Sequence, residues 1–237
     1  MFQLIQRTKT KIATTSTIDS FVRMQEFAHI ISLNPENLVE ATKNTDLASA
    51  YNRAEVVIAD GAGILTAAKF LQVVCGDRIT GVDLMNELVQ KYHDKTIVFV
   101  GGYRDAASRT MDHFVSKLKL TKHTWIAFTD ADKDDPTLIG KVVATKPDLL
   151  FVAFGTPAQE VWIEKHRPQL HGAVCMGVGQ SFDVYGGYVR RAPTVLRSLG
   201  LEWLFRLVTQ PWRWRRQLRL LEFIYLTIRN RLVAAKL

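Results

Sequence analysis

Residues 149–160 read LLFVAFGTPAQE. The first six, Leu149–Phe154, form an unbroken apolar run of strand length, and a glycine follows at once. A helical pattern then covers residues 158–168. A short apolar run that ends at a glycine turn and leads into a helix is typical of a buried strand in a parallel sheet. This stretch therefore predicts one strand–turn–helix unit.

The same unit recurs along the chain. Five further runs are predicted as strands, at 29–32, 56–59, 96–100, 124–128 and 173–176. Helical stretches lie between them, near 36–52, 62–72, 83–93, 104–119 and 136–145. Alternation of strands and helices predicts an α/β fold, with a Rossmann-like, mainly parallel sheet and helices on both faces.

Length and composition are those of a globular protein. The chain has 237 residues, of which 47% are hydrophobic, enough for a sizeable core. It contains no run of about 18 apolar residues that would span a bilayer. Its beginning lacks the pattern of a signal peptide, and its two cysteines lie in apolar surroundings, so we expect a cytoplasmic protein.

Charge divides the chain into unequal parts. Residues 190–237 hold 11 Lys and Arg against 2 Asp and Glu, a net charge of +9, whereas residues 1–189 carry a net charge of −1. We predict a polar leader at 1–27, a Rossmann-like catalytic domain at 28–195 and a C-terminal helical appendage at 196–237.

The appendage combines this basic charge with amphipathic helices. Two apolar stripes have helical spacing: Leu201, Leu204, Phe205 and Val208, and then Leu218, Leu221, Tyr225, Ile228 and Leu232. Basic, tryptophan-containing amphipathic helices favour an anionic membrane surface. The stripes would suit packing between copies of the chain equally well. Nucleic acid also attracts basic patches, but we expect none here because the main domain has no nucleic-acid module.

Candidate functional residues follow the predicted strands, where parallel sheets bind ligands. Asp60 ends one strand beside Gly61 and Gly63. A carboxylate held there can take a proton from a substrate hydroxyl, although an aspartate at this position can also simply cap the next helix. Gly61-x-Gly63 is half of a dinucleotide fingerprint, with Thr66 in place of the third glycine.

A second glycine pair and an acidic pair are open to more than one interpretation. Gly101-Gly102 before a helix is typical of a turn that holds phosphate on free N–H groups, or of an ordinary turn. Asp130 and Asp132 spell a DxD metal-binding motif, but they open an acidic run before a helix, where carboxylates stay solvated. No histidine and cysteine spacing typical of a zinc site is present. We expect no metal and no cofactor.

Seven stretches, in this order, give the chain a resemblance to the WecG/TagA/CpsF family of bacterial glycosyltransferases over residues 28–232. They are Ser32–Glu36, Ala59–Gly63, Asp77–Asp83, Phe154–Glu160, Gly177–Asp183, Arg190–Pro193 and Gly200–Leu207. The resemblance implies transfer of a sugar, commonly N-acetylmannosamine, from a UDP donor to an undecaprenyl-diphosphate-linked sugar. It also implies a peripheral position on the inner face of the plasma membrane.

The resemblance implies roles for individual residues. Asp60 would be the general base. Ser32, Asn34, Arg78, Gln159 and Arg206 would bind the substrates, and Arg213 and Arg216 would act with Asp60 in catalysis. We expect Gly101, Gly102 and Asp183 to contact the nucleotide.

These residues suggest an inverting transfer without a metal ion, in which arginines and helix N–H groups neutralise the leaving diphosphate. Two alternatives stay open. One is a nicotinamide-dependent oxidoreductase that uses the Gly61-x-Gly63 turn, and the other is a non-catalytic membrane-bound assembly subunit.

Overall fold

One six-stranded sheet forms the centre of the molecule. The computed structural model describes residues 2–211 and 214–234, with side chains at 3–211, 214 and 218–232. The strands are β1 (Ala28–Leu33), β2 (Val56–Ala59), β3 (Ile97–Gly101), β4 (Ile126–Phe128), β5 (Leu149–Ala153) and β6 (Val174–Gly177). Their order is β2-β1-β6-β5-β3-β4, and all neighbours are parallel. The six predicted strands and the fold class are confirmed.

Helices surround this sheet. Those before β3 are α1 (Phe2–Gln6), α2 (Lys11–Met24), α3 (Pro35–Ala41), α4 (Thr45–Arg53), α5 (Ala62–Leu71) and α6 (Gly81–Lys91). Those between β3 and β6 are α7 (Ala106–Leu118), α8 (Leu138–Ala144) and α9 (Ala158–Lys165). After β6 come α10 (Ser181–Tyr185), α11 (Thr194–Ser198), α12 (Glu202–Thr209) and α13 (Trp214–Ala234).

The sheet is buried on both faces because successive side chains in each strand point to opposite sides. In β3, Ile97 and Phe99 pack on one side, in a core with α2, α6, α7 and α10. Val98 and Val100 face the other side, in a core with α8 and α9. On this second side of the sheet, β1 and β2 are covered by α1, α3, α4, α5 and part of α13.

The structure divides the predicted helix 36–52 into α3 and α4. The Thr42 hydroxyl donates to the Val39 carbonyl (2.7 Å) where α3 ends. The Asn44 side chain then accepts the Leu47 N–H (2.9 Å) and caps α4. Side-chain hydrogen bonds to the backbone compete with helix continuation, and an apolar pattern does not show this break.

The segment 1–27, predicted as a polar leader without a regular pattern, contains two helices. Ile5 of α1 and Ile18 of α2 are fully buried, and between these helices Thr8 pairs with Val57 of β2. In α2 the buried residues are Thr14, Ile18 and Val22. This narrow stripe at four-residue spacing is a weak helical signal in a polar sequence.

Helix α13, in the predicted appendage 196–237, packs on α3 and α5. Phe223 is buried in the core beside α3 and α5. Ion pairs from Arg219 to Glu40 (2.9 Å) and from Lys43 to Glu222 (2.7 Å) flank this contact. No helix in the described part of the chain has the length and hydropathy needed to cross a bilayer.

Candidate functional site

Asp60 lies at the end of β2, at the edge of the sheet where the strands have their carboxyl ends. Gly61 caps α5 with a φ of 89°, and no side chain makes the capping hydrogen bond. The Asp60 carboxylate instead accepts the N–H of Gly81, the first residue of α6, at 3.3 Å. The alternative in which Asp60 caps the next helix is therefore not what the structure shows.

The surroundings of Asp60 make it a stronger base than an ordinary aspartate. Burial raises the pKa of Asp60 to about 6, although the Gly81 N–H, Arg206 and Arg78 favour its charged form. Glu202 acts in the same direction as burial. A carboxylate with a pKa near 6 accepts a proton more readily than one near 4 and is still mostly ionised at neutral pH.

A cleft of about 640 Å³ opens above Asp60. One wall comes from the main domain, through the loops after β1 and β2 and through α5. The other wall comes from the appendage, through α12 and α13. Its lining includes the predicted site residues Asn34, Asp60, Arg78 and Arg206. The structure therefore brings these four residues together.

Ser32 lies on β1, the strand beside Asp60, and Asn34 follows the end of that strand. Ser32 pairs with Ile58 across β1 and β2, and a Cβ placed on Gly81 would lie 4.0 Å from the Ser32 Cβ and 3.7 Å from the Asp60 Oδ2. Ser32 and Asp60 therefore face the same point at the beginning of α6. The Asn34 side chain accepts the Asn37 N–H (2.8 Å) and caps α3.

Two predicted arginines line the cleft from opposite sides. Arg78 donates from Nη1 to the carbonyl of Arg197 in α11 (2.8 Å). Arg206 in α12 donates from Nη2 to Glu202 (2.6 Å). Both guanidinium groups thus have a protein partner and also lie close enough to Asp60 to stabilise its negative charge.

Gln159 is buried and connects two loops at the edge of the sheet. Its Oε1 accepts the N–H groups of Gly155 and Gly179, each at 3.1 Å. Its Nε2 donates to Glu160 (2.8 Å). A Cβ at Gly177 would lie 2.6 Å from this Nε2, so the glycine makes room for the amide. Gln159 therefore holds the loops after β5 and β6 together.

The predicted nucleotide residues form a second group. A Cβ at Gly102 would lie 3.2 Å from Phe182, which precedes Asp183 in α10, so the two turns touch. The Gly102 N–H, expected to be free for a phosphate, donates to the carbonyl of Ala153 (3.0 Å). Because neighbouring strands lie about 4.8 Å apart, Gly101 at the end of β3 is about 19 Å from the end of β2.

The acidic pair lies further away still. Asp130 and Asp132 follow β4, at the opposite edge of the sheet from β2. Five strand spacings separate the end of β2 from the end of β4, a distance of about 24 Å. The Asp132 side chain accepts the Asp134 N–H (2.9 Å) and so forms a local turn. Among the described residues, no group of three or more His, Cys, Asp or Glu side chains could hold a metal ion.

The two catalytic arginines predicted in the appendage are not placed by the structure. Arg213 lies outside the described residues, and Arg216 is described only as part of the backbone of α13. Their catalytic roles stay predictions.

Sequence reasoning missed two acidic residues. Glu202 lines the cleft and forms an ion pair with Arg206, four residues later in α12. The sequence could have indicated this pair, because two opposite charges four residues apart on a helix are neighbours on its surface. Glu160 is buried, and its side chain accepts hydrogen bonds from Gln159 and Thr156. Burial raises the pKa of Glu160. Its position in the GTPAQE stretch gave no indication of burial.

Exposed apolar residues at the mouth of the cleft were also missed. Phe70 lies on the α5 side, and Trp203 and Ile224 lie on the appendage side. Sequence patterns had placed Leu218, Leu221 and Tyr225 on an apolar stripe of the appendage, and all three are exposed in α13.

Comparison with known proteins gives consistent matches. The model of the "Glycosyl transferase WecG/TagA/CpsF family" matches residues 4–237. Three relatives share the name N-acetylglucosaminyldiphosphoundecaprenol N-acetyl-beta-D-mannosaminyltransferase. The protein from Bacillus spizizenii is 31% identical, over 92% of this chain and 85% of its own length. That from Bacillus subtilis is 34% identical, over 81% and 75%, and that from Staphylococcus aureus is 31% identical, over 87% and 78%.

The family match begins earlier than the resemblance in the sequence suggested. It starts at residue 4, whereas the seven recognised stretches begin after residue 28. The helices of this first segment pack on the sheet through Ile5 and Ile18, so the segment contributes to the fold of this chain.

Proposed function

The chain belongs to the WecG/TagA/CpsF family and is a glycosyltransferase, and from this premise we propose its reaction. It transfers N-acetylmannosamine or a related hexose from a UDP donor to an undecaprenyl-diphosphate-linked sugar, and it inverts the configuration of the anomeric carbon. The relatives named above support the transferred sugar and the lipid-linked acceptor. The product would serve cell-surface polysaccharide synthesis.

One observation carries this proposal. Asp60, with its pKa raised to about 6, lies in a cleft together with two arginines and with apolar groups at the mouth. A base, positive charge for a diphosphate and an apolar opening for a polyprenyl chain are what the transfer requires.

The proposed mechanism is a single displacement. Asp60 takes the proton of the acceptor hydroxyl while the hydroxyl oxygen forms a bond to the anomeric carbon. The bond from that carbon to the UDP oxygen breaks, and UDP leaves with the electron pair. Asp60 then loses its proton to solvent.

The leaving diphosphate needs positive charge in this mechanism. Arg78 and Arg206 line the cleft, and Arg213 and Arg216 would add to them from the appendage. Ser32 and Asn34 would contact the sugars beside Asp60. Gln159 would act through the loops that it connects. The nucleotide would extend towards Asp183 and the turn at Gly101-Gly102.

We further propose that no metal ion takes part. The DxD pair lies about 24 Å from the end of β2, by strand spacing, so it could not hold a diphosphate beside Asp60. An excess of EDTA should leave the rate unchanged. Loss of activity that added Mn²⁺ restores would contradict this.

The two earlier alternatives have lost their support. A Cβ at Gly63 would lie 2.7 Å from the Pro35 side chain, so close packing of α5 on α3 accounts for this glycine without a dinucleotide. Family membership points to an enzyme rather than to an assembly subunit without activity.

A peripheral position on the cytoplasmic face of the membrane completes the proposal. The basic appendage carries exposed apolar residues on α12 and α13, among them Trp203, Val208 and Leu221. Trp203 also lines the cleft, and a lipid-linked acceptor would enter from that surface. Packing between two copies of the chain would use the same residues.

The decisive experiment is a screen of UDP-sugars with a polyprenyl-diphosphate-linked N-acetylglucosamine acceptor, with the product identified by mass. We expect product from wild type and at least a hundredfold loss of kcat in Asp60→Asn, since general-base catalysis contributes about 10²–10⁴-fold. UDP binding, measured by calorimetry, should change little. The rate should fall on the acid side with a midpoint near pH 6, the pKa of Asp60.

Two results would contradict the proposal. One is absence of a glycosylated lipid with every donor tested. The other is an Asp60→Asn variant that keeps its rate within about threefold, which corresponds to less than 1 kcal/mol of transition-state stabilisation. Asp130→Asn, an exposed carboxylate far along the sheet, is the matched control and should behave as wild type.

A further inference from the structure

The beginning of α6 sets the position of the Asp60 carboxylate. Gly81, the first residue of α6, donates its N–H to the Asp60 Oδ2 at 3.3 Å. A Cβ at Gly81 would lie 3.7 Å from the same oxygen, so helix and carboxylate are in close contact. The 11-residue helix also directs the positive end of its dipole at Asp60. Any shift of this helix end would therefore change the site.

An ion pair holds this helix end in place. Arg191, in the segment before the appendage, donates from Nη1 to the Asp83 Oδ1 and from Nη2 to the Asp83 Oδ2, each at 2.7 Å. Thr80, the residue that caps α6, donates its hydroxyl to Asp83 (2.6 Å) and accepts the Asp83 N–H (3.2 Å). A two-pronged arginine–carboxylate pair fixes direction as well as distance.

The same residues attach the first helix of the appendage. Arg197 in α11 places its Nη1 3.9 Å from the Asp83 Oδ1. Its carbonyl accepts a hydrogen bond from the Arg78 Nη1 (2.8 Å). Asp83 thus lies between the main domain and the appendage, two residues after the N–H group that contacts Asp60.

We propose that Arg191 is a positioning residue, which through Asp83 holds the end of α6 against Asp60 and joins that contact to the docked appendage. This inference rests on the proposed role of Asp60 as the base. Arg191 itself does not touch Asp60: its effect passes through Asp83, Thr80 and the first peptide group of α6.

The electrostatics of the pair agree with this arrangement. Burial would raise the pKa of Asp83, but hydrogen bonds from Arg191 and Thr80 hold it below the usual value. The pair is therefore ionised throughout the neutral range. Removing the Arg191–Asp83 pair would leave the first turn of α6 less firmly held.

Several groups surround Asp60 and would remain in an Arg191 variant. Arg78 precedes α6, Arg206 and Glu202 come from α12, and Tyr51 comes from α4. The group that such a variant displaces is the Gly81 N–H, which favours the charged form. Its withdrawal should therefore raise the pKa of Asp60 further and slow the reaction most at low pH.

The test uses the full chain with Arg191→Ala, Arg191→Lys and Asp83→Asn, assayed from pH 5.5 to 8.5. We expect Arg191→Ala to lower kcat about tenfold at pH 6 and about threefold at pH 8, with KM for the donor changed less than about twofold. Asp83→Asn should do the same. Arg191→Lys, which keeps the charge but not the two-pronged geometry, should fall between wild type and Arg191→Ala.

Two further measurements separate positioning from a general loss of structure. The double variant Arg191→Ala/Asp83→Asn should be no slower than either single variant, because both remove one interaction. Titration of the ¹³C-labelled Asp60 carboxyl by NMR, with Asp60→Asn to assign the signal, should show a higher pKa in Arg191→Ala than in wild type. This titration requires no turnover, so it gives a result even if the proposed reaction is wrong.

The neighbouring, exposed Arg190 provides a matched control, and Arg190→Ala should leave both kcat and the Asp60 titration unchanged. The inference is overturned if Arg191→Ala matches Arg190→Ala in these readouts. It is also overturned if kcat falls by one constant factor at every pH while the Asp60 pKa stays at its wild-type value. Failure of wild type to form any product would instead overturn the proposed function.

Discussion

At the scale of single residues, Asp60 shows how the proposed general base acquires its properties from its surroundings. Burial raises its pKa to about 6 from the ordinary aspartate value of 3.8. The same desolvation that strengthens the base makes the charged form costly to the folded protein. Activity and stability should therefore respond in opposite directions when this carboxylate is neutralised.

We predict that Asp60→Asn unfolds at a higher temperature than wild type at pH 8. The folded state binds the Asp60 proton more tightly than the unfolded state, so stability is lost as pH rises from about 4 to about 6 and stays lost above it. A shift of about two pKa units corresponds to at most about 3 kcal/mol.

The measurement is thermal unfolding of both proteins between pH 4 and pH 8. The gain in Tm for Asp60→Asn should shrink as the pH is lowered through this range. Asp130→Asn removes an exposed carboxylate and should shift Tm only slightly at either pH. A variant less stable than wild type at pH 8 would contradict the prediction.

At the scale of elements, α13 has one buried face and one exposed face. One face packs on α3 and α5 through Phe223, which is 4% exposed. The other carries Tyr225, which is 62% exposed. Because α13 also forms a wall of the cleft, its docking is needed to complete the site.

We predict that Phe223→Ala destabilises the protein by about 3–4 kcal/mol, the usual cost of deleting a buried phenylalanine ring. Tyr225→Ala, two residues along the same helix, should change the free energy of unfolding by about 0.5 kcal/mol or less. Denaturant unfolding followed by tryptophan fluorescence measures both. Equal effects of the two substitutions would show that α13 is not docked through Phe223.

At the scale of the whole molecule, positive charge and exposed apolar residues are concentrated on the appendage. The main part of the chain, residues 1–189, is close to neutral, with a net charge of −1. The exposed residues Leu218, Leu221 and Leu232 follow one side of α13. This distribution supports docking on an anionic membrane with the cleft next to the lipid surface.

We predict that the protein binds vesicles of anionic phospholipid and that binding weakens as salt rises, because screening reduces attraction between exposed charges. Leu221→Glu should weaken binding by tenfold or more, on the order of the cost of losing a buried leucine side chain from the interface. Vesicle sedimentation at two salt concentrations measures this.

Ile12→Glu is the control for this substitution. Ile12 is 84% exposed but lies on α2, in the main part of the molecule. It should leave vesicle binding unchanged. If Leu221→Glu alters only the sedimentation coefficient of the free protein, the exposed face packs against a second copy of the chain instead.

Local patterns in the sequence were sufficient for the sheet and for much of the site. All six strands follow from short, mostly apolar runs, because burial on both faces leaves few polar positions inside a strand. His29 and Ser32 are polar positions within β1. Asp60, Asn34, Arg78 and Arg206 were named from strand ends and from the family motifs, and the structure gathers them around one cleft. The carboxyl ends of parallel strands lie along one edge of the sheet, so residues at these ends can be placed at that edge from the sequence.

Long-range packing decided most of the rest. The buried stripe of α2 and the hydrogen bond from the Gly179 N–H to Gln159 depend on partners distant in the chain. So does the contact from Gly81 to Asp60, together with the ion pair that joins Arg191 to Asp83 across 108 positions. The division of 36–52 into two helices instead comes from local side-chain hydrogen bonds, which an apolar pattern does not show. A sequence determines which groups a chain carries, whereas burial and hydrogen-bond partners exist only after folding, and these set the pKa of Asp60, the proposed base.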